Sequence, residues 1–113
     1  MPFINTKTNF EIDKAKRDKI KSDYGKAIGI IPGKSEGSLM LAFESCPMYF
    51  KGQEKEKLAF VEVKLYGKAD RSAMNDLTAE ICNILNTETG IAKSDIYVKY
   101  EEVEVWGCNG GNF

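Results

Sequence analysis

The sequence predicts an α+β fold: one domain over residues 1–113, built from two β-α-β units that share a four-stranded mixed sheet with two helices on one face. Three observations carry this. Strand-like and helix-like hydrophobic periods alternate in the order β-α-β twice over. The second round begins about 55 residues after the first, as an internal duplication would. The joints that follow the two helices also match, GKSEGSLMLAFE in the first half and AKSDIYVKYEE in the second.

Each element has a local justification. PFINTKT, at residues 2–8, reads as a short strand. A helix follows over Asp13–Ile31, with Asp13 or Asn9 as its cap and Ile20, Tyr24, Ala27, Ile28 and Ile31 as one apolar stripe. Pro32-Gly33 ends it. SLMLAFE is an apolar run of strand length, and CPMYFKGQEKEK is a connection with a short strand around Met48–Phe50. LAFVEVKLYG alternates as a strand does. Met74, Leu77, Ile81, Ile84 and Leu85 stripe a second helix, from about Ser72 to Glu88 and closed near Gly90. DIYVKYEEVEV is the last long strand, and the Gly/Asn-rich WGCNGGNF turns tightly. Right-handed crossovers put both helices on one face. The other face then carries side chains such as Leu39, Leu41, Phe60, Val98 and Tyr100, depending on register, and an uncovered apolar face predicts a homo-oligomer.

Composition narrows the chemistry. The chain has 113 residues, a net charge of −1, and lysines interleaved with acids, as in EIDKAKRDKIKSD. That mixing reads as a solvated surface rather than a nucleic-acid stripe or a membrane-binding face. No signal-peptide core or transmembrane run is visible, so the expected location is cytoplasmic, or outside the cell by a route without a cleavable signal. There is no histidine, which removes His-based triads, His zinc sites and His acid–base catalysis together. The three cysteines, Cys46, Cys82 and Cys108, are widely spaced and form neither a disulfide framework nor a CxxC pair. No metal or cofactor is expected.

The distinctive feature is Pro2, directly behind Met1. Freed of the methionine, its nitrogen is a secondary amine on a rigid ring. An α-amine ordinarily titrates at about 7.7–8.0. Burial and a nearby cation lower that value and yield a neutral base at physiological pH. Lys34, in the first joint, and Lys99, in the last strand, are the candidate cations; either can also hold a carboxylate or a developing enolate. Tyr66 and Tyr97 offer phenols and aromatic walls, and Trp106 and Phe113 an apolar lid.

The MPF start, GKS after the first helix, the YFKG turn, LYGK, IYVKYEE and the closing WGCNGGNF together resemble the macrophage migration inhibitory factor family, which includes D-dopachrome tautomerase and belongs to the tautomerase superfamily. The resemblance spans the whole chain. It implies a tautomerase-like fold assembled as a homotrimer, with active sites between subunits. It implies an isomerase of the intramolecular-oxidoreductase type, acting on small aromatic keto/enol acids such as phenylpyruvate and on dopachrome esters. On the matching positions, Pro2 is the catalytic base and Lys34 the active-site lysine. Tyr66 takes the place of an apolar residue whose backbone lines the pocket, Tyr97 is supplied by the neighbouring subunit, and Phe113 lies near the carboxyl terminus. The resemblance also carries a second expectation, a cytokine-like ligand of a cell-surface receptor with residual tautomerase activity. Several positions depart from the family pattern. GKP is GKS here, a nearby tyrosine is Ser38, an asparagine is Lys99, and GWN is GCN with the tryptophan at Trp106. Leu58–Val61 replaces the CxxC of the mammalian cytokine, so a thiol-oxidoreductase role has no basis.

Overall fold

A computed structural model describes all 113 residues. In chain order the elements are β1 (Pro2–Thr8), α1 (Lys14–Ala27), β2 (Met40–Ser45), β3 (Ala59–Tyr66), α2 (Arg71–Thr89), β4 (Ile96–Val103) and two short strands, β5 (Gly107–Cys108) and β6 (Gly111–Asn112). The four long strands form one sheet in the order β2-β1-β3-β4. β1 pairs parallel with β2 and β3 parallel with β4, while β1 and β3 meet antiparallel at the centre. The duplicated β-α-β plan is therefore the observed one.

Helix ends follow local chemistry. Asp13 caps α1: its carboxylate accepts the Lys16 N–H at 2.9 Å. Asn9, the alternative cap, has other work. Its amide donates to the Lys55 carbonyl at 2.8 Å and its oxygen accepts the Leu58 N–H at 2.7 Å, pinning the connection before β3. The predicted first helix runs to Ile31; the α-helix stops at Ala27 and tightens into a 3-10 turn over Ile28–Ile30. α2 ends on Gly90, whose φ of 78° is the left-handed cap conformation that glycine adopts without steric cost. The short strand expected at Met48–Phe50 reduces to a single bridge, Phe50 to Gln53.

Alternation decides which face of the sheet is covered. Ile4 and Thr6 of β1, and Val61, Val63 and Leu65 of β3, are buried beneath the helices. Ile20, Tyr24, Ile28 and Ile31 from the first half, with Leu77, Ile81, Leu85 and Ile91 from the second, complete one core cluster. The register puts Leu41 beside Ile4, Val98 beside Val61 and Tyr100 beside Val63. Leu39, Leu41, Val98 and Tyr100 accordingly pack against this core and not on the open face where they were expected. Only Phe60 of that set alternates away from the helices. A one-residue phase moves a whole strand's side chains to the other face, and the apolar runs leave that phase open until the partner strands are known. The open face is mixed: Asn5 donates to Glu44 at 2.7 Å, and Lys99 lies 2.8 Å from Glu101 and 3.9 Å from Glu62, while Phe3, Met40, Phe60, Tyr97 and Val103 lie on the same side. No helix is long and apolar enough to cross a membrane.

One polar pair sits inside the core. The Thr6 and Tyr24 hydroxyls lie 2.8 Å apart, both side chains fully buried, tying β1 to α1. Burial pushes the Tyr24 phenol well above its ordinary range, so it stays neutral. Tyr24→Phe leaves the Thr6 hydroxyl without its partner and should cost about 1–3 kcal/mol in urea unfolding. Adding Thr6→Val should restore part of that loss, because removing both polar groups is cheaper than orphaning one.

Candidate active site

The site grows from three chain segments that meet at one end of the central strand pair. Pro2 is buried at the head of β1 and pairs with Leu65 near the end of β3. The next residue of β3, Tyr66, donates its N–H to the Met1 carbonyl at 2.9 Å. Lys34 arrives from the joint after α1. Its Nζ donates to the Tyr66 carbonyl at 2.7 Å. Tyr66 thus holds Met1 through its N–H and Lys34 through its carbonyl.

The placement of Lys34 has a readable local cause. The Lys34 N–H bonds back to the Ile31 carbonyl at 3.1 Å, Pro32 has its φ set by the ring, and Gly33 has φ 82°. These are the marks of a type II turn, with proline and glycine at its two central positions. The pair that ends the helical run therefore also aims the lysine.

Electrostatics follow from the geometry. Burial, then the positive charge of Lys34 and its hydrogen bond, hold the amine of residue 1 below its ordinary value of 8.0. Both causes disfavour the protonated form.

An aromatic cover lies over this end. The Phe113 ring sits 5.8 Å from that of Tyr66, tilted by 47°. The Phe113 N–H bonds the Trp106 carbonyl at 2.9 Å, closing the β5–β6 hairpin. Asn109 and Gly110 turn it with φ 52° and 83°, the sign a tight hairpin demands of both central residues. The tail makes the tight turn expected of it, and Trp106 is half-buried at its base.

Two expected site residues lie elsewhere in the protomer. Tyr97 pairs with Phe60, five residues along β3 from Leu65, which puts it about 17 Å from the level of Pro2. Its ring meets Phe50 edge-on at 4.9 Å and Phe60 at 6.4 Å, and it is 56% exposed. Lys99 pairs with Glu62 on the open face. Its hydrogen bond to Glu101 raises its pKa and lowers that of Glu101. It is half-exposed and paired with Glu101, on the same face of β4 as Tyr97. Phe50, the partner of Tyr97, went unrecognised in the sequence because it lies in a connection with no periodic signal. Glu62 went unrecognised because only the β3–β4 register brings it to Lys99, whereas Glu101 lies two residues along the same strand.

The depressed amine makes a direct prediction. Its folded-state pKa is below the unfolded one, so its contribution to stability is present above pH 8.0 and lost as pH falls through the folded value. Lys34→Met should move the amine pKa back up, read by NMR titration of the terminal amine; an unchanged value would mean that burial alone sets it.

No protein-family model matches the sequence, and no curated protein is matched by it. Solved structures do match over essentially the whole chain. MIF2 of Leishmania major is 32% identical, with a TM-score of 0.92 over 100% of this chain and 97% of that one. A macrophage migration inhibitory factor homologue from Prochlorococcus marinus is 26% identical, with a TM-score of 0.80 over 98% of each chain. A macrophage migration inhibitory factor-like protein from Entamoeba histolytica, 20% identical with a TM-score of 0.87 over 99% of this chain and 98% of that one, shares the fold. With a head-of-strand proline beside a turn-aimed lysine and a relative this similar end to end, the chain belongs to the macrophage migration inhibitory factor family of the tautomerase superfamily.

Proposed function

We propose that the protein is a keto–enol tautomerase of the phenylpyruvate/dopachrome type, with Pro2 as its general base once Met1 is removed. The observation that carries this reading is the geometry at the head of β1, where Pro2 is buried and the Lys34 ammonium is held at the Tyr66 carbonyl, close enough to lower the pKa of the amine of residue 1. The Pro2 nitrogen is the next backbone nitrogen along, so removal of Met1 leaves a secondary amine at the head of β1. The same removal takes away the carbonyl that accepts the Tyr66 N–H, freeing a backbone donor at the site.

In the reaction, the neutral Pro2 nitrogen takes a proton from C3 of a 2-oxo acid. The electron pair moves into a C2–C3 double bond, and negative charge grows on the carbonyl oxygen. Lys34, whose ammonium has three donors and gives one to Tyr66, has two left for the substrate carboxylate and that oxygen. The proton returns to oxygen or to carbon, and no net charge is gained. No cofactor is called for.

We further propose a homotrimer. Within one chain the Tyr97 end and the Pro2 end of the sheet are far apart and chemically different. Joining one end to the other in the next copy is a heterologous contact, which closes into a ring when the rotation allows. Tyr97 of a neighbouring copy would then stand at the Pro2 site.

The test is turnover of enolic phenylpyruvate by protein whose intact mass shows that Met1 is absent. Pro2→Gly should lower the rate by about 10² or more without changing the oligomer measured by light scattering. A form that retains Met1 should be inactive, because an amide nitrogen is not a base. Wild-type turnover should fall as pH drops through the lowered amine pKa, since the protonated amine cannot take a proton. Equal turnover by Pro2→Gly would overturn the base assignment. The acetylenic acid 2-oxo-3-pentynoate, which inactivated one fold relative of 17% identity, is a second probe, and a mass adduct on the peptide beginning at Pro2 is the expected result.

A further inference from the structure

We infer that Asn109 is a self-modification site: attack by the Gly110 backbone nitrogen converts its side-chain amide to a carboxylate, at a rate set by opening of the β5–β6 hairpin.

The sequence singles out one asparagine. Of the seven in the chain, only Asn109 is followed by glycine; the others precede Thr6, Phe10, Asp76, Ile84, Thr87 and Phe113. A side chain shields the backbone nitrogen of its own residue, and glycine has none. Beyond the chain neighbours, no atom lies within 4 Å of where a Cβ would stand at Gly110 or Gly111, so the surroundings do not shield it either. Other asparagines are held. Asn5 and Asn9 are tied by side-chain hydrogen bonds, and Asn75, Asn83 and Asn86 sit inside α2.

The chemistry needs only water. The Gly110 nitrogen bonds to Asn109 Cγ and gives up its proton. The Cγ–Nδ2 bond breaks, and Nδ2 leaves as ammonia with that proton. The five-membered imide then adds water at one of its two carbonyls. Opening at Cγ gives aspartate. Opening at the backbone carbonyl gives isoaspartate, in which the chain runs through Cβ and Cγ. Nothing is oxidised or reduced.

The closed hairpin guards the site. Asn109 and Gly110 have φ 52° and 83°, as in a type I′ turn. Such a turn has its first central ψ at about +30°, which points the next nitrogen away from the side chain. Attack therefore needs a large rotation about ψ, and that rotation breaks the turn. The guard is thin. Each strand has two residues, one further hydrogen bond joins Phe113 to Trp106, and Gly107–Phe113 are all exposed. A two-stranded ribbon is marginal in water and opens far more readily than a core. Its apolar anchor on the main sheet is the Phe113 ring, 5.8 Å from that of Tyr66. Either product adds a negative charge to the turn, and isoaspartate also lengthens its backbone by one carbon. Conversion thus removes the register that places Phe113.

The test holds the full-length protein in mildly alkaline buffer and follows its peptides by chromatography and mass spectrometry, which separate asparagine, aspartate and isoaspartate forms. Asn109 should convert faster than each of the other six asparagines. It should convert more slowly in the folded protein than in the same chain unfolded in urea. Phe113→Ala removes the aromatic anchor and should speed conversion in the folded protein by roughly two- to tenfold, because the rate follows the open population. Conversion of Asn109 no faster than that of the other asparagines would overturn the site. Equal rates in folded and unfolded chains, or a rate unmoved by Phe113→Ala, would overturn the control by the hairpin.

Discussion

The antiparallel pairing of β1 with β3 is the constraint on which the rest of the molecule hangs. It joins two β-α-β units that would each expose half a core, and its register, Pro2 against Leu65 through Thr8 against Ala59, sets the phase of all four strands. With Ile4 and Val63 opposite each other beneath the helices, the neighbours in β2 and β4 have no freedom left. The same pairing carries the start of the chain to the middle of the sheet. A terminus that would otherwise fray is held by the Tyr66 N–H at the end of the partner strand.

What makes that terminus chemically interesting is the company it is given. A solvated α-amine is a mostly protonated group at neutral pH. Here burial and an ammonium held at Tyr66 both work against its proton. The arrangement depends on a turn that only a few residue types can make, since the left-handed φ of Gly33 directs Lys34 back toward β3. Lys99 shows the contrast. It has the same charge but sits beside two carboxylates on an exposed strand, where such pairs are worth about 0–1 kcal/mol.

The sheet also has two unlike ends. One carries Pro2, Lys34, Tyr66 and the aromatic tail; the other carries Tyr97 with Phe50 and Phe60. Exposed large apolar side chains mark both, with Phe113 and Val105 toward the tail and Tyr97 and Tyr49 toward the other end. The open face between them is mixed, with Phe3, Met40 and Val103 beside the polar pairs of Lys99 and Glu44.

The sequence alone determined everything that depends on near neighbours. A cap at Asp13 or Asn9, stops at Pro32-Gly33 and near Gly90, the two helical stripes and a tight turn in the Gly/Asn-rich tail were all legible, because each is a matter of local backbone sterics or of a 3.6-residue period. The duplicated order of elements was legible for the same reason, and the residues around Pro2 and Lys34 stood out together once the whole pattern was in view. Only the tertiary structure decided the faces and the distances. Leu41, Val98 and Tyr100 belong to the core because of strand register, and register is set by the partner strand, not by the strand's own residues. Lys99 comes within 3.9 Å of Glu62 for the same reason. Tyr66 and Phe113 are far apart in sequence, and their contact exists because the tail folds back over the end of β3. Period and propensity report what one segment prefers; they are silent on which segment it will meet.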